Sequence, residues 1–292
     1  MERWILTHGH WLAGGMAGVF ALLLVLSWAI PLRAERRRRI HRYVTNAVMS
    51  ALALGAGWIA VRPLSLLLGG WASARGFGLL RWVALPPVFH LAFGFLLLDL
   101  SFYYWHRANH VVPLLWRFHN VHHVDPDLDV TTSFRFHLVE VLYSAPFRAA
   151  QVVLFGVPLV TFVLYELVFQ CCTVFHHSNV RLPIRLERLL NLVLVTPRMH
   201  GIHHSNIQDE TNANYSVIFR WWDALHRTLA VGVPQSQITI GVPGYVRPRD
   251  NTVQSLLLMP FRRQRDYWRF EDGTISLRVP DANVSAQRRL TE

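Results

Sequence analysis

The sequence contains no lysine, only two cysteines and few charged residues, which make up 16% of its 292 positions. A soluble globular domain usually carries about 25% charged residues, so this low fraction disfavours one. The two cysteines, Cys171 and Cys172, are neighbours within an apolar run. Their spacing excludes a disulfide framework and predicts two small, buried, apolar side chains.

Arginine supplies all 29 basic residues and, against 18 acidic ones, gives a formal net charge of +11. The composition is otherwise apolar: 52% of residues are hydrophobic, the mean hydropathy is +0.25, and there are 11 tryptophans, a residue enriched where lipid meets water. These features indicate a membrane protein. The basic excess then predicts contact with anionic lipid headgroups or with a partner at the membrane. Nucleic acid is disfavoured because no nucleic-acid-binding motif is present.

Apolar segments recur along the chain, and each approaches the length of about 20 residues that a membrane-spanning helix needs. They cover residues 11–32, 43–61, 82–105, 138–155 and 157–175. The second is expected to end at Arg62 and Pro63. The first is followed by its arginines and not preceded by them, which predicts a retained anchor rather than a cleaved signal peptide.

The arginines at 36–39 set the predicted orientation, because basic loops stay in the cytoplasm. The N-terminus then lies outside, and counting the spans puts residues 106–137 and 176–292 in the cytoplasm. Every dense group of histidines therefore falls on one side of the membrane. The count did not use the histidines, so this agreement supports the predicted topology.

Histidines are concentrated at regular spacing, beginning with "HRANHVVPLLWRFHNVHH" at 106–123. The regular set is His106 and His110, then His119, His122 and His123, then His200, His203 and His204, with His137, His176 and His177 between these boxes. Helical positions i, i+3 and i+4 lie on one face, so each three-histidine box is expected to aim its imidazoles at one point. The remaining histidines stand outside this pattern, and ordinary structural roles are expected for them. They are His8, His10, His41, His90 and His226.

Imidazole nitrogen suits iron, zinc, copper and nickel. Eight to ten converging nitrogens exceed what one ion takes, so the boxes predict two metal ions. No carboxylate lies inside the boxes, unlike the carboxylate-rich di-metal bundles. A hydrolase would normally place a carboxylate base beside its metal, so the pattern favours redox chemistry with dioxygen.

Four stretches resemble the sterol desaturase and fatty acid hydroxylase superfamily, within about residues 85–230. They are residues 99–140, 175–183, 196–205 and 214–228. The resemblance implies a helical membrane enzyme, an oxidoreductase with a histidine-bound di-metal centre. The two metals are generally taken as iron, with zinc able to substitute. It also implies dioxygen-dependent hydroxylation or desaturation of C–H bonds in a lipid or sterol-like substrate.

Carried over residue by residue, the resemblance implies a set of metal ligands that act in catalysis through the metals. They are His106, His110, His119, His122, His123, His137, His177, His200, His203 and His204. His176 is left as an alternative to His177, because some relatives place another histidine four residues earlier, where this chain has Cys172.

Three acidic residues, Asp99, Glu140 and Asp223, match family positions and are expected to orient imidazole N–H groups. Helix-end or salt-bridge roles are the alternative for each. The chain departs from the family pattern at Ser216, where a glycine is usual, and at 226–227, where Phe-Gly is usual. Both departures lie at one end of the expected site.

The predicted fold class is all-α: a multi-span membrane helical bundle of about four to five hydrophobic segments, with a cytoplasmic histidine-rich cap that holds a di-metal site. Residues 1–84 form the anchor segments and 85–230 the catalytic domain. Residues 231–292 form a polar tail. Within it, residues 260–270 mix arginine with aromatics, which suits either the lipid headgroup level or an ordinary solvated surface.

The favoured function is lipid hydroxylation, with desaturation left open. No flavin, haem-domain or ferredoxin signature is present, so an external donor, a ferredoxin- or cytochrome b5-type reductase system, is expected to supply electrons. Sterols, fatty acyl chains, sphingolipids, carotenoids and ether lipids all remain possible substrates. A membrane haem protein for electron transfer and a histidine-rich metal storage or transport protein are the competing hypotheses.

Overall fold

The computed structural model describes residues 2–35 and 39–278. The described chain is built from helices and loops without a β-strand, which confirms the all-α prediction. The long helices are α1 Glu2–Ala29, α2 Arg39–Ala56, α3 Arg62–Ala74, α4 Pro87–Val111, α5 Pro113–His123, α6 Leu138–Phe155 and α7 Leu159–His177. The short helices are α8 Ile184–Leu190, α9 Pro197–His203, α10 Gln208–Thr211, α11 Trp221–His226 and α12 Val253–Leu258.

Four helical segments of the described chain are long and apolar enough to cross a membrane. They are Ile40–Arg81, Pro87–Val111, Leu138–Phe155 and Leu159–His177. The remaining predicted segment lies in α1, where Ala13–Ala29 forms a shorter apolar helix. Large apolar side chains such as Trp58 and Leu67 are exposed on the outside of these helices. Lipid in place of water around the bundle accounts for that exposure.

The second segment does not end where the sequence predicted. Between α2 and α3 the helix widens into a π-helical stretch, Gly57–Val61, and then continues through Pro63. A proline ring clashes with the carbonyl four residues earlier in a regular helix, and the wider turn accommodates it. Arg62 folds back over the Trp58 ring, 4.1 Å from its centroid.

The histidines gather at one end of the bundle, here called the histidine end. α4 and α7 finish there with His110 and His177, and α6 begins there after His137. α2 starts at the same end, where Arg42 binds Asp125 two residues beyond a histidine box. The helix directions therefore agree with the span count that places all boxes on one side. The predicted orientation relied on the arginines at 36–39, and residues 36–38 of that cluster lie outside the described residues.

The opposite end is closed by a tight crossing of two loops. The backbone at Gly78 approaches Gly156 so closely that a Cβ on Gly78 would lie 2.3 Å from the Gly156 Cα. Both glycines also have positive φ, of 119° and 65°, which other residues rarely adopt. This crossing joins the turn before α4 to the turn between α6 and α7.

The described part of the predicted tail packs over the histidine end. Met259 and Leu256 join a buried cluster with Trp116 and Val121 of α5. Trp116 also stacks on Trp268, with ring centroids 6.0 Å apart. The described tail residues therefore cover α5 at the histidine end. Residues 279–292 lie outside the described residues.

Candidate metal centre

Nine histidines converge in two buried groups at the histidine end. The first group is His106, His110, His119, His123 and His203, and the second is His122, His177, His200 and His204. Within each group the ligand nitrogens all lie within 4.8 Å of one another. The groups adjoin, since the rings of His123 and His204 stack at 4.4 Å. Two neighbouring sites of nitrogen ligands are thus formed.

Each three-histidine box is divided between the two groups. In α5, His119 and His123 enter the first group and His122 the second. In α9, His203 enters the first group, whereas His200 and the adjoining His204 enter the second. Successive helical residues are 100° apart around the axis. Relative to residue i, residue i+4 is therefore rotated by about 40° in one direction and residue i+3 by about 60° in the opposite direction. The expectation that a box aims all three imidazoles at one point is therefore wrong.

Backbone carbonyls fix the tautomers of several imidazoles. The Nδ1–H of His106 donates to the Tyr215 carbonyl at 2.7 Å, and that of His203 donates to the Ala213 carbonyl at 2.6 Å. His177 Nδ1–H donates to Thr173, one turn back, at 2.8 Å. A carbonyl only accepts, so Nδ1 carries the proton and Nε2 is left with its lone pair. Neutral imidazoles held in this way are the form that binds a metal.

The second group fits a metal ion closely. Nε2 of His177 lies 3.1 Å from Nε2 of both His122 and His200, and His200 Nε2 lies 3.1 Å from that of His204. Four nitrogens about 2.1 Å from one tetrahedral ion would lie roughly 3.4 Å apart. The observed spacing needs little adjustment to reach that arrangement.

The first group fits a metal through its unsatisfied nitrogens. Nε2 of His119, His123 and His203 and both nitrogens of His110 are buried without a hydrogen-bond partner. An unpaired buried polar atom costs about 1–3 kcal/mol, so several together are unfavourable unless a ligand binds them. A metal cation bound by these imidazole nitrogens would satisfy all of them together. Nitrogen donors of this kind suit iron or zinc.

Burial also keeps the cap histidines neutral. It lowers the pKa of His122, His123, His200 and His204 well below the ordinary value, with neighbouring imidazoles adding to the effect. Burial lowers the pKa of His203 to about 3. At neutral pH these side chains are therefore unprotonated, as metal ligation requires.

Of the three acidic residues, Glu140 alone is hydrogen bonded directly to a histidine of the two groups. Its Oε1 accepts from His119 Nδ1 at 2.8 Å. Asp223 acts at one remove: its Oδ2 accepts at 2.9 Å from the Ser216 N–H, which belongs to the same peptide as the Tyr215 carbonyl that holds His106. Asp99 accepts from the Trp222 indole at 2.7 Å and fastens α11 to α4.

Two predicted histidines lie outside both groups. His137 caps α6: its Nδ1 accepts from the Val139 N–H, and its Nε2–H donates to the Leu257 carbonyl. Both nitrogens are occupied, so neither is offered to a metal. His176 donates from Nδ1 to the Val217 carbonyl at 3.2 Å, and its ring lies 4.0 Å from that of His200. It borders the second group, to which His177 belongs.

The two departures from the family pattern lie beside the site. Ser216 accepts from the Asp223 N–H through its hydroxyl, and its own N–H donates to the Asp223 carboxylate. His226 lies 2.6 Å from the Tyr104 hydroxyl, measured from Nε2, and its ring stacks on Tyr103. Neither residue enters a histidine group.

An ionic network that sequence reasoning missed supports the α5 box from behind. Arg42 binds Asp125 at 2.6 Å, and Arg135 donates to Asn46 of α2 and to the Val121 carbonyl in α5. Burial alone would raise the pKa of Asp125, but the charges of Arg42 and Arg135 outweigh it and lower that pKa. Asp125 follows His123 by two residues, so the network fixes the end of the box. Nothing in the spacing of the arginines signalled this partnership.

A cavity of about 610 Å³ leads from the histidines into the bundle. His106, His122 and His177 line its inner end, and Trp58 and Leu66 line its outer end. Trp58 is 66% exposed on the lipid-facing side of the bundle. The lining is mostly apolar, so a hydrocarbon chain can pass from the lipid to both histidine groups.

The comparisons with known proteins place this site in a family. Residues 91–228 match the family model described as fatty acid hydroxylase. A cholesterol 25-hydroxylase-like protein of Danio rerio is 31% identical over 225 residues, 72% of this chain and 85% of that protein. Human cholesterol 25-hydroxylase is 30% identical, over 72% of this chain and 77% of the human one. The chain belongs to the fatty acid hydroxylase family.

This assignment confirms the superfamily predicted from the histidine boxes, and with it the class of oxidoreductase. An ornithine lipid hydroxylase of Rhizobium tropici is also similar, with 32% identity over 161 residues. That match covers 55% of the chain, which spans about half the length of the rhizobial protein, 48%. No solved structure matches the chain.

Proposed function

We propose that the chain is a membrane-bound, dioxygen-dependent hydroxylase that oxidises a C–H bond of a lipid or sterol-like substrate. The observation that carries the proposal is the opening of two buried histidine groups into one apolar, lipid-accessible cavity. Five and four imidazoles per group exceed the two axial ligands of a haem, which disfavours the haem hypothesis. A reservoir for metal storage would not need a hydrocarbon-sized cavity.

The two groups would hold one iron ion each. Bound there, two iron ions would supply the activation of dioxygen that oxidation of an unactivated C–H bond needs. The protein's own part is positioning. The Tyr215, Ala213 and Thr173 carbonyls, with Glu140, keep Nε2 lone pairs aimed inward. The apolar cavity excludes water and guides an alkyl segment to the histidines.

Hydroxylation is proposed over desaturation because all three relatives described above are named hydroxylases or hydroxylase-like. Two of those names specify cholesterol and one an ornithine lipid, so the substrate is proposed as a lipid with a long hydrocarbon portion. Electrons are proposed to come from an external carrier, since the sequence carries no flavin, haem-domain or ferredoxin signature.

Lipid extracts of cells that express the chain test this function. Wild-type cells should contain a lipid heavier by the mass of one oxygen, 16 units, and by 18 units under ¹⁸O₂. His123→Ala cells should lack it, whereas His90→Ala cells should retain it, because His90 lies outside both groups. A loss of 2 mass units would identify a desaturase. No oxygen-dependent change in wild-type cells would contradict the proposal.

The histidine end is proposed to face the cytoplasm. A reporter fused after Glu292 should then be cytoplasmic, and one inserted at Gly76, in the turn after α3 at the far end, should lie on the opposite side. A position within α3 would interrupt the helix, which is why the turn is chosen. Both reporters on one face would contradict the span count.

A further inference from the structure

An ion pair lies inside the cavity, away from the histidines. Arg148 of α6 binds Glu166 of α7, and both residues line the cavity. The Arg148 side chain is 6% exposed and that of Glu166 29%. Ionisable residues within membrane-spanning helices are unfavourable and are usually kept for a function. This pair has no role in holding the histidine groups.

Arg148 is held firmly in place. Its guanidinium carbon lies over four aromatic rings, at 5.1–5.7 Å from the centroids of Phe102, Phe162, Tyr165 and Phe169. It also donates to Gln151 Oε1, and Gln151 is in turn fixed to the Ser101 hydroxyl of α4 at 2.7 Å. Such a fixed guanidinium is a preorganised donor, and its five N–H groups leave room for an added oxygen acceptor beside Glu166.

The pair stands a long way from the histidines along the cavity. Arg148 follows Glu140 by eight residues of α6, which corresponds to roughly 12 Å of helix. Glu166 precedes His177 by eleven residues of α7, or roughly 16 Å. A group bound at the pair would therefore leave a long hydrocarbon segment between itself and the C–H bond at the histidines.

The charges of the pair select the kind of group. Arginine supplies hydrogen-bond donors and glutamate supplies acceptors, and together they are neutral. A hydroxyl group matches both, because it accepts from Arg148 and donates to Glu166. A carboxylate or phosphate would have to displace Glu166 from Arg148 or lie beside its negative charge.

We infer that Arg148 and Glu166 form a polar subsite that binds the hydroxyl group of an uncharged lipid alcohol, with the hydrocarbon to be oxidised extending toward the histidines. The inference rests on the proposed function for the role of the bound lipid. The subsite itself is a binding property, which is measurable without turnover and without metal.

Binding of a sterol and of its 3-methyl ether to metal-free protein in nanodiscs tests the subsite. The shift in tryptophan emission when lipid covers Trp58 and Trp105, which line the cavity, can report occupancy. Wild-type protein should bind the alcohol about tenfold more tightly than the ether, because the ether cannot donate to Glu166. Glu166→Met should reduce this preference to about one, because it removes the acceptor of the hydroxyl proton. Arg62→Met, a change of the same type at the cavity mouth, should leave it intact.

Several results would overturn the subsite. One is a wild-type protein without preference for the alcohol, an outcome that does not depend on any variant folding. Another is tighter binding of palmitate than of hexadecanol. A third is a Glu166→Met protein that retains the preference. If the preference is found but no lipid is oxygenated, the proposed function fails and the subsite stands. If a lipid is oxygenated but the preference is not found, the subsite fails and the proposed function stands.

Discussion

Alanine at any single histidine of the two groups is expected to remove one metal ion and to lower oxygen-dependent activity at least 100-fold. Loss of even an indirect partner of a metal ligand costs roughly 10- to 100-fold, and a missing ligand costs more. Because each histidine box is divided between the two groups, the structure predicts which of the two metal ions each variant loses. His119→Ala and His203→Ala should empty the first site, and His122→Ala and His200→Ala the second, although each pair combines α5 with α9.

Metal analysis of the purified variants checks this pattern. Each variant should fall from about two ions per chain to about one, and the double variant His119→Ala/His203→Ala should still retain one. His137→Ala and His90→Ala serve as controls and should keep both ions, since neither lies in a group. Loss of both ions in His119→Ala/His203→Ala, or equal dispensability of all the histidines, would contradict two sites built across the boxes.

Filling the cavity is expected to stop the reaction without disturbing the metals. Gly57→Phe places a ring in the cavity, and space exists for its Cβ, whose nearest neighbour is Val141 at 3.7 Å. Activity on a lipid substrate should fall more than tenfold, because the hydrocarbon must pass this position to reach the histidines. Metal content should remain near two ions per chain.

A matched control lies two residues away. Gly55 is exposed on α2 and a Cβ there meets nothing within 4 Å, so Gly55→Phe adds the same ring on the lipid-facing side. Its activity should stay within about twofold of wild type, as for an ordinary surface change. Equal activity of the Gly55→Phe and Gly57→Phe proteins would show that the substrate does not use this cavity.

Periodicity and composition predicted the parts of the site that depend on local helix geometry. The apolar runs located the helices, and the i, i+3 and i+4 spacing located the imidazoles. The divergence of i+3 is implicit in that spacing, but the presence of a second group of histidines at that angle is not, because it depends on how α5 packs against α4 and α9 against α7. Only the packed bundle brings His203 beside His106.

Other parts of the site carry no sequence signal. The acceptors for His106 and His203 are backbone carbonyls, which every residue possesses. His137 has the family's histidine position, yet its Nδ1 caps α6 and its Nε2–H donates to the Leu257 carbonyl. Pro63 predicted the end of a helix, but the helix continues through it because the preceding π-helical stretch accommodates the proline ring. These outcomes depend on tertiary contacts that a linear pattern does not encode.

The metal content of the purified wild-type chain tests the central proposal most directly. Expression in iron-supplemented medium, followed by elemental analysis against protein concentration, gives the number of ions whether iron or zinc fills the sites. Two ions per chain are expected, one for each histidine group. One ion or none, in protein that is folded and membrane-inserted, would contradict the di-metal centre.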